Sequence, residues 1–288
     1  MIVIKIKGGL GNQMFQYAFY LNLKNRGMDV KMDISGLDLY LDSSGRGDIW
    51  DAFCVKKDFA STKEIQELLK NKNKIINKLQ IKILKRSDTH YIQKNPFYFN
   101  MDVFNMDNVY LDGYWQNEKY FKDCRKSIIE HFKIKKELSN DNNLYLDMIN
   151  NHVNSVSLHI RLGDYMTETN KKIYGGICTP EYYKKAIKYF EDNFETPVFF
   201  IFSNDAENVK QLIDPKKYIL VNCNNEKNAW ADLYLMSKCK HNIIANSTFS
   251  WWGAWLNQNK NKIVLAPPRM MNTIQSDDIY PDSWIKVQ

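Results

Sequence analysis

A charged group of residues follows a strand-like stretch in the second half of the chain. Residues Ser155–Ile160 alternate polar and apolar side chains, and Arg161, Gly163 and Asp164 come directly after them. The alternation predicts a strand with His159 and Arg161 on one face, and a glycine would end it. A guanidinium is permanently charged and can bond two phosphate oxygens at once, which favours an anionic ligand. A structural alternative stays open, in which Arg161 pairs with Asp164 and His159 is a core histidine.

A glycine-rich stretch, GGLGNQ, follows the first predicted strand and precedes a helix predicted over residues 12–25. Its Gly9 and Gly11 would let backbone amides approach an anion at a helix start, with Asn12 and Gln13 beside them. The spacing fits neither a Walker loop nor the dinucleotide fingerprint. A tight turn between strand and helix explains the glycines about as well.

Hydroxyls and an acid follow two other predicted strands. Ser247, Thr248 and Ser250 stand at a strand-to-helix junction with Phe249 among them, and Asp205 follows a strand predicted to end at residue 202. Hydroxyls donate to phosphate oxygens, and a carboxylate can accept from ribose or a base edge. The same residue types also cap helices, and that alternative stays open for both groups.

An aromatic stretch in the first half suits sugar binding. Trp115 and Gln116 follow Tyr114 at the end of a strand predicted to begin at Val109. The C–H faces of sugars lie on aromatic rings, while their hydroxyls bond polar groups. Core packing is the competing role for at least one of the two rings.

Strands and helices alternate along most of the chain, which predicts an α/β protein with parallel sheets. Ligands of such sheets bind at the carboxyl ends of the strands, where the residues above are predicted to lie. The Lys- and Asn-rich residues 133–143 are the best candidate for a linker between two domains. We therefore expect an acceptor-side domain at residues 1–143 and a Rossmann-like domain at residues 144–288.

Composition excludes several classes of protein. The 288 residues are 44% hydrophobic, enough for a core, and no run of 18 apolar residues is present. The N-terminus is interrupted by lysines and does not read as a signal peptide, so a cytoplasmic protein is expected. Five scattered cysteines, none in a C-x-x-C pair, indicate neither a disulfide framework nor a zinc site.

The net charge of +7 is concentrated in one stretch. Residues 56–94 hold eleven Lys or Arg against four Asp or Glu, and their apolar residues recur at helical spacing. This pattern predicts a basic helical insert, for which a solvated face is the ordinary explanation. The sharper alternative is weak peripheral contact with an anionic membrane at its inner face. No nucleic-acid motif accompanies the charge, so no nucleic-acid partner is expected.

Four of these stretches together resemble the α-1,2-fucosyltransferase family. They are GGLGNQMFQ from Gly8, GYWQ from Gly113, HIRLGDY from His159 and STFSWWG from Ser247, in this order over nearly the whole chain. The resemblance implies a GT-B-like fold of two Rossmann-like α/β domains with the active site in the cleft between them. It also implies an inverting transferase that moves L-fucose from GDP-fucose to the 2-hydroxyl of a terminal galactose on a glycan, which could be lipid-linked.

The resemblance also assigns roles to residues. Arg161 would bind the β-phosphate, and His159 and Asp205 the guanine. Asp164, beside the proposed cleft, is our candidate for the general base, with a structural pairing to Arg161 as the alternative. Further donor-binding residues would be Gly9, Gly11, Asn12, Gln13, Ser247, Thr248, Phe249 and Ser250, and acceptor-binding residues Trp115, Gln116 and Tyr165. No D-x-D triplet is present, so no metal is expected. The alternatives are another GDP-deoxysugar donor such as GDP-colitose, or a carbohydrate-binding protein without catalysis.

Overall fold

The computed structural model describes residues 1–37, 47–69 and 89–288. The chain divides into two compact units, of which the first ends at Lys133 and the second begins at Ile134, with Gly47 grouped with the second. Each unit is an α/β layer structure around a parallel sheet, which confirms the predicted fold class. The predicted linker is partly helical, because Ser139 accepts a hydrogen bond from the Asn142 amide and caps a helix that begins at Asn140.

The first unit has a four-stranded parallel sheet in the order β2-β1-β4-β3. Its first helix is buried on all sides, because every residue from Gln13 to Leu23 is buried and most of them are apolar. That helix ends before Gly27, whose φ of +78° is the left-handed conformation that terminates helices. The elements are β1 (Ile2–Lys5), α1 (Leu10–Asn25), β2 (Val30–Asp33), α2 (Ile49–Ala52), α3 (Thr62–Leu69), β3 (His90–Ile92), β4 (Val109–Asp112) and α4 (Arg125–His131).

The second unit has a six-stranded parallel sheet in the order β10-β9-β8-β5-β6-β7. The fully buried β5 is central, and the chain winds outward from it on one side through β6 and on the other through β8. The elements are α5 (Asn140–Asn151), β5 (Ser155–Ile160), α6 (Glu168–Tyr174), α7 (Pro180–Asn193), β6 (Val198–Ser203), β7 (Ile219–Val221), α8 (Ala229–Lys238), β8 (His241–Ile243), α9 (Thr248–Leu256), β9 (Val264–Ala266) and β10 (Ile285–Lys286).

Some predicted elements differ from the structure. The sequence pattern predicts one helix over residues 119–132, where the structure has two short 3₁₀ turns and α4. It predicts another helix over residues 206–213, where the structure has a 3₁₀ helix, Ala206–Gln211. Both begin at side-chain caps that favour tight turns over an extended helix. Of the predicted basic insert at 56–94, the structure has α3 and β3, while residues 70–88 lie outside the described part. Within the described ranges, no helix is both long and apolar enough to cross a bilayer.

Candidate active site

Three polar residues follow neighbouring strands at the carboxyl edge of the second sheet. Arg161 and Asn204 directly follow Ile160 and Ser203, the last paired residues of β5 and β6, and therefore lie side by side. Asn246 follows the end of β8, which pairs with β5 up to Leu158 and Ile243. The chain winds in opposite directions from β5 and β8, so this is the topological switch point where ligands of open parallel sheets bind.

Arg161 is held by two neighbours on its own loop. Its Nη2 donates to Asp164 Oδ1 at 2.7 Å, and its Cζ lies 5.4 Å from the ring centroid of Tyr165. The side chain is only 14% exposed. The sequence left open whether Arg161 pairs with Asp164, and in this structure it does. A guanidinium has five N–H donors, so one such bond leaves it capacity to bind an anion as well.

The turn after Arg161 requires a glycine. Gly163 has φ +51°, and a Cβ added there would collide with Nδ2 of Asn204. The same Asn204 accepts a hydrogen bond from the Leu162 amide at 2.9 Å through its Oδ1. The end of β6 thus sets the path of the loop that carries Arg161 and Asp164.

His159 is a buried imidazole near the end of β5. The residue is only 3% exposed, and its ring centroid lies 5.6 Å from that of Phe249. Its Nδ1 has no hydrogen-bond partner in the part of the chain that the structure describes. Burial, assisted by the positive charge of Arg161, lowers the pKa of His159 to about 3.

This shift predicts a loss of stability in mild acid. Since the pKa of His159 is about 3 in the folded chain and 6.5 as its ordinary value, the unfolded chain binds the extra proton between these pH values. The stability that the neutral His159 contributes is fully present above pH 6.5 and is lost as the pH falls. At pH 5 the free energy of unfolding is lower by about 2 kcal/mol. The free energy of unfolding of wild type and of His159→Gln is measured with denaturant from pH 8 to pH 5. Relative to the variant, wild type should lose about 2 kcal/mol of stability over this range. Parallel curves would contradict it.

The hydroxyls at the start of α9 have mainly structural partners. Ser247 Oγ accepts from the Phe249 amide and caps the helix. Ser250 Oγ is buried and donates to the main-chain oxygens of Ala245 and Ser247, so the structure does not present it to a ligand, contrary to the expectation. Thr248 occupies the first turn, which contains no acidic residue, so the helix start stays electropositive.

Asp205 also acts as a cap. Its carboxylate oxygens both accept from Asn208 Nδ2, at 3.0 and 2.9 Å, and its side chain accepts from the Asn208 amide. The capping alternative is therefore the arrangement in the structure, and the carboxylate is engaged where a guanine was expected.

The glycine loop of the first unit is held by its own polar side chains. Gly9 precedes α1 without a side-chain cap. Gln13 is fully buried; its Nε2 donates to the Gly8 carbonyl at 2.9 Å and its Oε1 accepts from the Ile49 amide at 3.1 Å. It shapes the loop and is not available to a donor nucleotide.

Asn12 Oδ1 accepts from Gln116 Nε2 at 2.8 Å. Gly11 is a buried residue in the first turn of α1.

Trp115 is a core residue, which corrects its predicted acceptor role. It is 0% exposed, and its ring centroid lies 4.8 Å from that of Phe19 and 5.4 Å from that of Tyr120. Gln93 Oε1 accepts from its amide and supports the left-handed backbone there, φ +55°. Gln116 is also buried. The half-exposed ring of this stretch is Tyr114 instead.

Sequence reasoning placed Asn204 and Asn246 at strand ends without giving either a role of its own, and it missed Asp232. The two asparagines stand inside stretches that read as helix caps. Asp232 is the single acid in the apolar helix α8; burial raises its pKa to about 7, although Asn224 Nδ2 donates to it at 2.6 Å. A buried carboxyl that titrates near neutrality is a recognised marker of functional sites. No group of three His, Cys, Asp or Glu side chains suited to a metal occurs in residues 1–37, 47–69 and 89–288.

Solved structures of fucosyltransferases align with most of the chain at low identity. A mutant of Arabidopsis thaliana FUT1 in complex with GDP is 14% identical over 91% of this chain and 69% of that chain, with a TM-score of 0.49. The NodZ α-1,6-fucosyltransferase soaked with GDP-fucose is 14% identical over 88% of this chain and 92% of that chain, with a TM-score of 0.46.

Two curated relatives align over the full length at higher identity, and a third aligns over part of the chain. The O-antigen biosynthesis glycosyltransferase WbnK of Escherichia coli is 34% identical over 98% of this chain and 99% of that protein. An α-1,2-colitosyltransferase of Escherichia coli is 32% identical over 100% and 99%. A galactoside α-(1,2)-fucosyltransferase 1 of Saimiri boliviensis boliviensis is 31% identical over 35% and 28%. The model of glycosyl transferase family 11 matches residues 55–288, and with these relatives it shows that the chain is a glycosyltransferase that belongs to family 11.

Proposed function

We propose that this glycosyltransferase moves L-fucose from GDP-fucose to the 2-hydroxyl of a terminal galactose on a glycan, with inversion at the anomeric carbon and without a divalent cation. The observation that carries the proposal is Arg161 at the switch point of the second sheet, where β5 neighbours the strand β8 that leads into α9. A permanent cation together with a helix N-terminus whose first turn contains no acidic residue suits a diphosphate.

The reaction explains why a rigid cation belongs there. Glycosyl transfer passes through an oxocarbenium-like state, in which the bond to phosphate is largely broken and negative charge grows on the departing GDP. A guanidinium fixed beside that phosphate stabilises the transition state more than the ground state. Asp164, which holds Arg161 at 2.7 Å, would then fix its direction.

The absence of a cation requirement is part of the proposal and has a direct test. Arg161 and the positive end of α9 are the groups that would neutralise the diphosphate. Transfer from GDP-fucose to galactose-terminated glycans should proceed unchanged in EDTA. Activity that disappears in EDTA and returns with manganese or magnesium would overturn this part.

Asp164 offers a sharp test of two roles. We expect Asp164→Asn to lower kcat by about fivefold, the effect of weakening one hydrogen bond to Arg161, and to leave the acidic limb of the pH–rate profile in place. The measurement is kcat/KM from pH 5 to pH 9 together with GDP affinity. Loss of the acidic limb with unchanged GDP affinity would instead make Asp164 the general base.

A second donor, GDP-colitose, is favoured by a specific observation. A relative named as an α-1,2-colitosyltransferase is 32% identical to the chain over its full length. The two donors differ at one hydroxyl position, which a pocket separates only through a few contacts. Competition between GDP-fucose and GDP-colitose for one galactose-terminated acceptor decides which donor has the larger kcat/KM.

The acceptor and its location are also proposals. A lipid-linked glycan precursor at the inner membrane face fits the relative named for O-antigen biosynthesis and the basic residues 56–94. Flotation of the protein with anionic liposomes at low salt, compared with neutral liposomes, tests the membrane contact. Equal recovery with both would refute it.

A further inference from the structure

Asn246 joins three loops at the carboxyl edge of the second sheet. Its side chain is buried, with the residue 3% exposed, and its Nδ2 donates to the carbonyls of Tyr174 and Met270, each at 3.1 Å. Its Oδ1 accepts from Cys178 Sγ at 3.3 Å. The segments after β5 and after β9 are thereby tied to the end of β8.

The main chain of Asn246 reaches Arg161 through one tyrosine. The hydroxyl of Tyr165 donates to the Asn246 carbonyl at 3.1 Å, and its ring is stacked on Tyr174 with centroids 4.4 Å apart and an interplanar angle of 13°. The guanidinium of Arg161 lies 5.4 Å from the same ring. Burial raises the pKa of Tyr165, so its hydroxyl stays protonated and donates at every working pH.

We propose that Tyr165 and Asn246 are positioning residues for Arg161: Asn246 fixes the hydroxyl end of Tyr165, and the ring of Tyr165 fixes the plane of the guanidinium. This inference rests on the proposed role of Arg161 as the ligand of the donor's diphosphate. It gives Tyr165 a different role from the acceptor contact that the resemblance implies.

The physical reason is conformational entropy. An arginine side chain loses rotamer freedom when it is ordered, so a guanidinium that is already held binds a phosphate more tightly. Asp164 holds Arg161 through one oxygen, and a ring contact fixes the remaining tilt. The hydroxyl of that ring is anchored by a main-chain carbonyl and not by a flexible side chain, which makes the arrangement rigid.

The test uses a conservative variant and a matched control. Tyr165→Phe removes only the hydroxyl that bonds the Asn246 carbonyl. Tyr182→Phe removes another buried tyrosine hydroxyl, which donates to the neighbouring carbonyl of Ile244 at 2.6 Å and has no contact with Arg161. Each change is made in the wild-type chain and in Arg161→Ala, and GDP affinity is measured by calorimetry with thermal unfolding of the unliganded proteins.

Tyr165→Phe should weaken GDP binding by about five- to tenfold in the wild-type chain and by less than about twofold in Arg161→Ala, since coupled residues give non-additive effects. Tyr182→Phe should change GDP affinity by less than about twofold in both. Tyr174→Leu, which removes the stacked ring, should follow the pattern of Tyr165→Phe. Equal losses for Tyr165→Phe in both backgrounds, or none in either, would overturn the inference. Wild-type GDP affinity in Arg161→Ala alone would overturn the proposed function itself.

Discussion

Replacing Arg161 with alanine is expected to lower kcat/KM by a factor of about 10²–10³, the usual cost of one preorganised donor at a developing charge. The side chain is 14% exposed and lies at the switch point of the second sheet, where negative charge would grow on the departing nucleotide. Arg161→Lys should recover little of the loss, because one ammonium cannot bond two oxygens in a fixed plane. Steady-state kinetics with GDP-fucose and a galactose-terminated acceptor measure both variants.

A second arginine provides the control. Arg26 is 43% exposed and pairs with Asp123 at 3.6 Å near the end of α1, so Arg26→Ala removes an equal charge from the chain without touching the second sheet. It should keep kcat/KM within about twofold of wild type, since exposed pairs contribute little. Near-normal turnover by a folded Arg161→Ala would refute the assignment of Arg161.

Replacing Trp115 with alanine is expected to destabilise the first unit by about 3–5 kcal/mol, as large-to-small changes of buried aromatic residues do. The ring is fully buried between Phe19 and Tyr120, so its removal leaves a cavity that the neighbouring rings cannot fill. The Tm of the Trp115→Ala variant should lie roughly 10–20 °C below that of wild type. Calorimetry of the two proteins at pH 8 measures it.

The neighbouring ring separates the core role from a role in acceptor binding. Tyr114 is half-exposed, with the Lys7 ammonium 4.6 Å from its centroid, and Tyr114→Ala should cost no more than about 1 kcal/mol. An unchanged Tm for Trp115→Ala, together with a raised KM for the acceptor, would restore the acceptor role that the sequence predicted.

Much of the fold was predictable because its signals are local. The alternation before Arg161 predicts β5, and the helix Thr248–Leu256 has the bounds expected from its Ser247 cap and its apolar run. The parallel arrangement follows from strands and helices that alternate at short spacing. The position of Arg161 directly after β5 was predictable because the alternation ends there, while its role at a phosphate stays a prediction.

The hydrogen-bond partners of Gln13 and Gln116 were not predictable, because they lie on segments distant in sequence. Gln13 bonds the Ile49 amide, 36 residues away, and Gln116 bonds Asn12 across 104 residues. A glutamine after a glycine loop looks the same in sequence whether it faces a ligand or its own backbone. Asp205 was ambiguous for another reason, since capping and ligand binding use the same carboxylate oxygens.

The side-by-side placement of Arg161 and Asn204 limits how this family member can change in length. Deleting or inserting one residue in β5 or β6 would move one of the two along the edge and turn its side chain to the opposite face of the sheet. Changes in length are therefore expected in the connections, while these two strands keep their residue count even where their composition drifts.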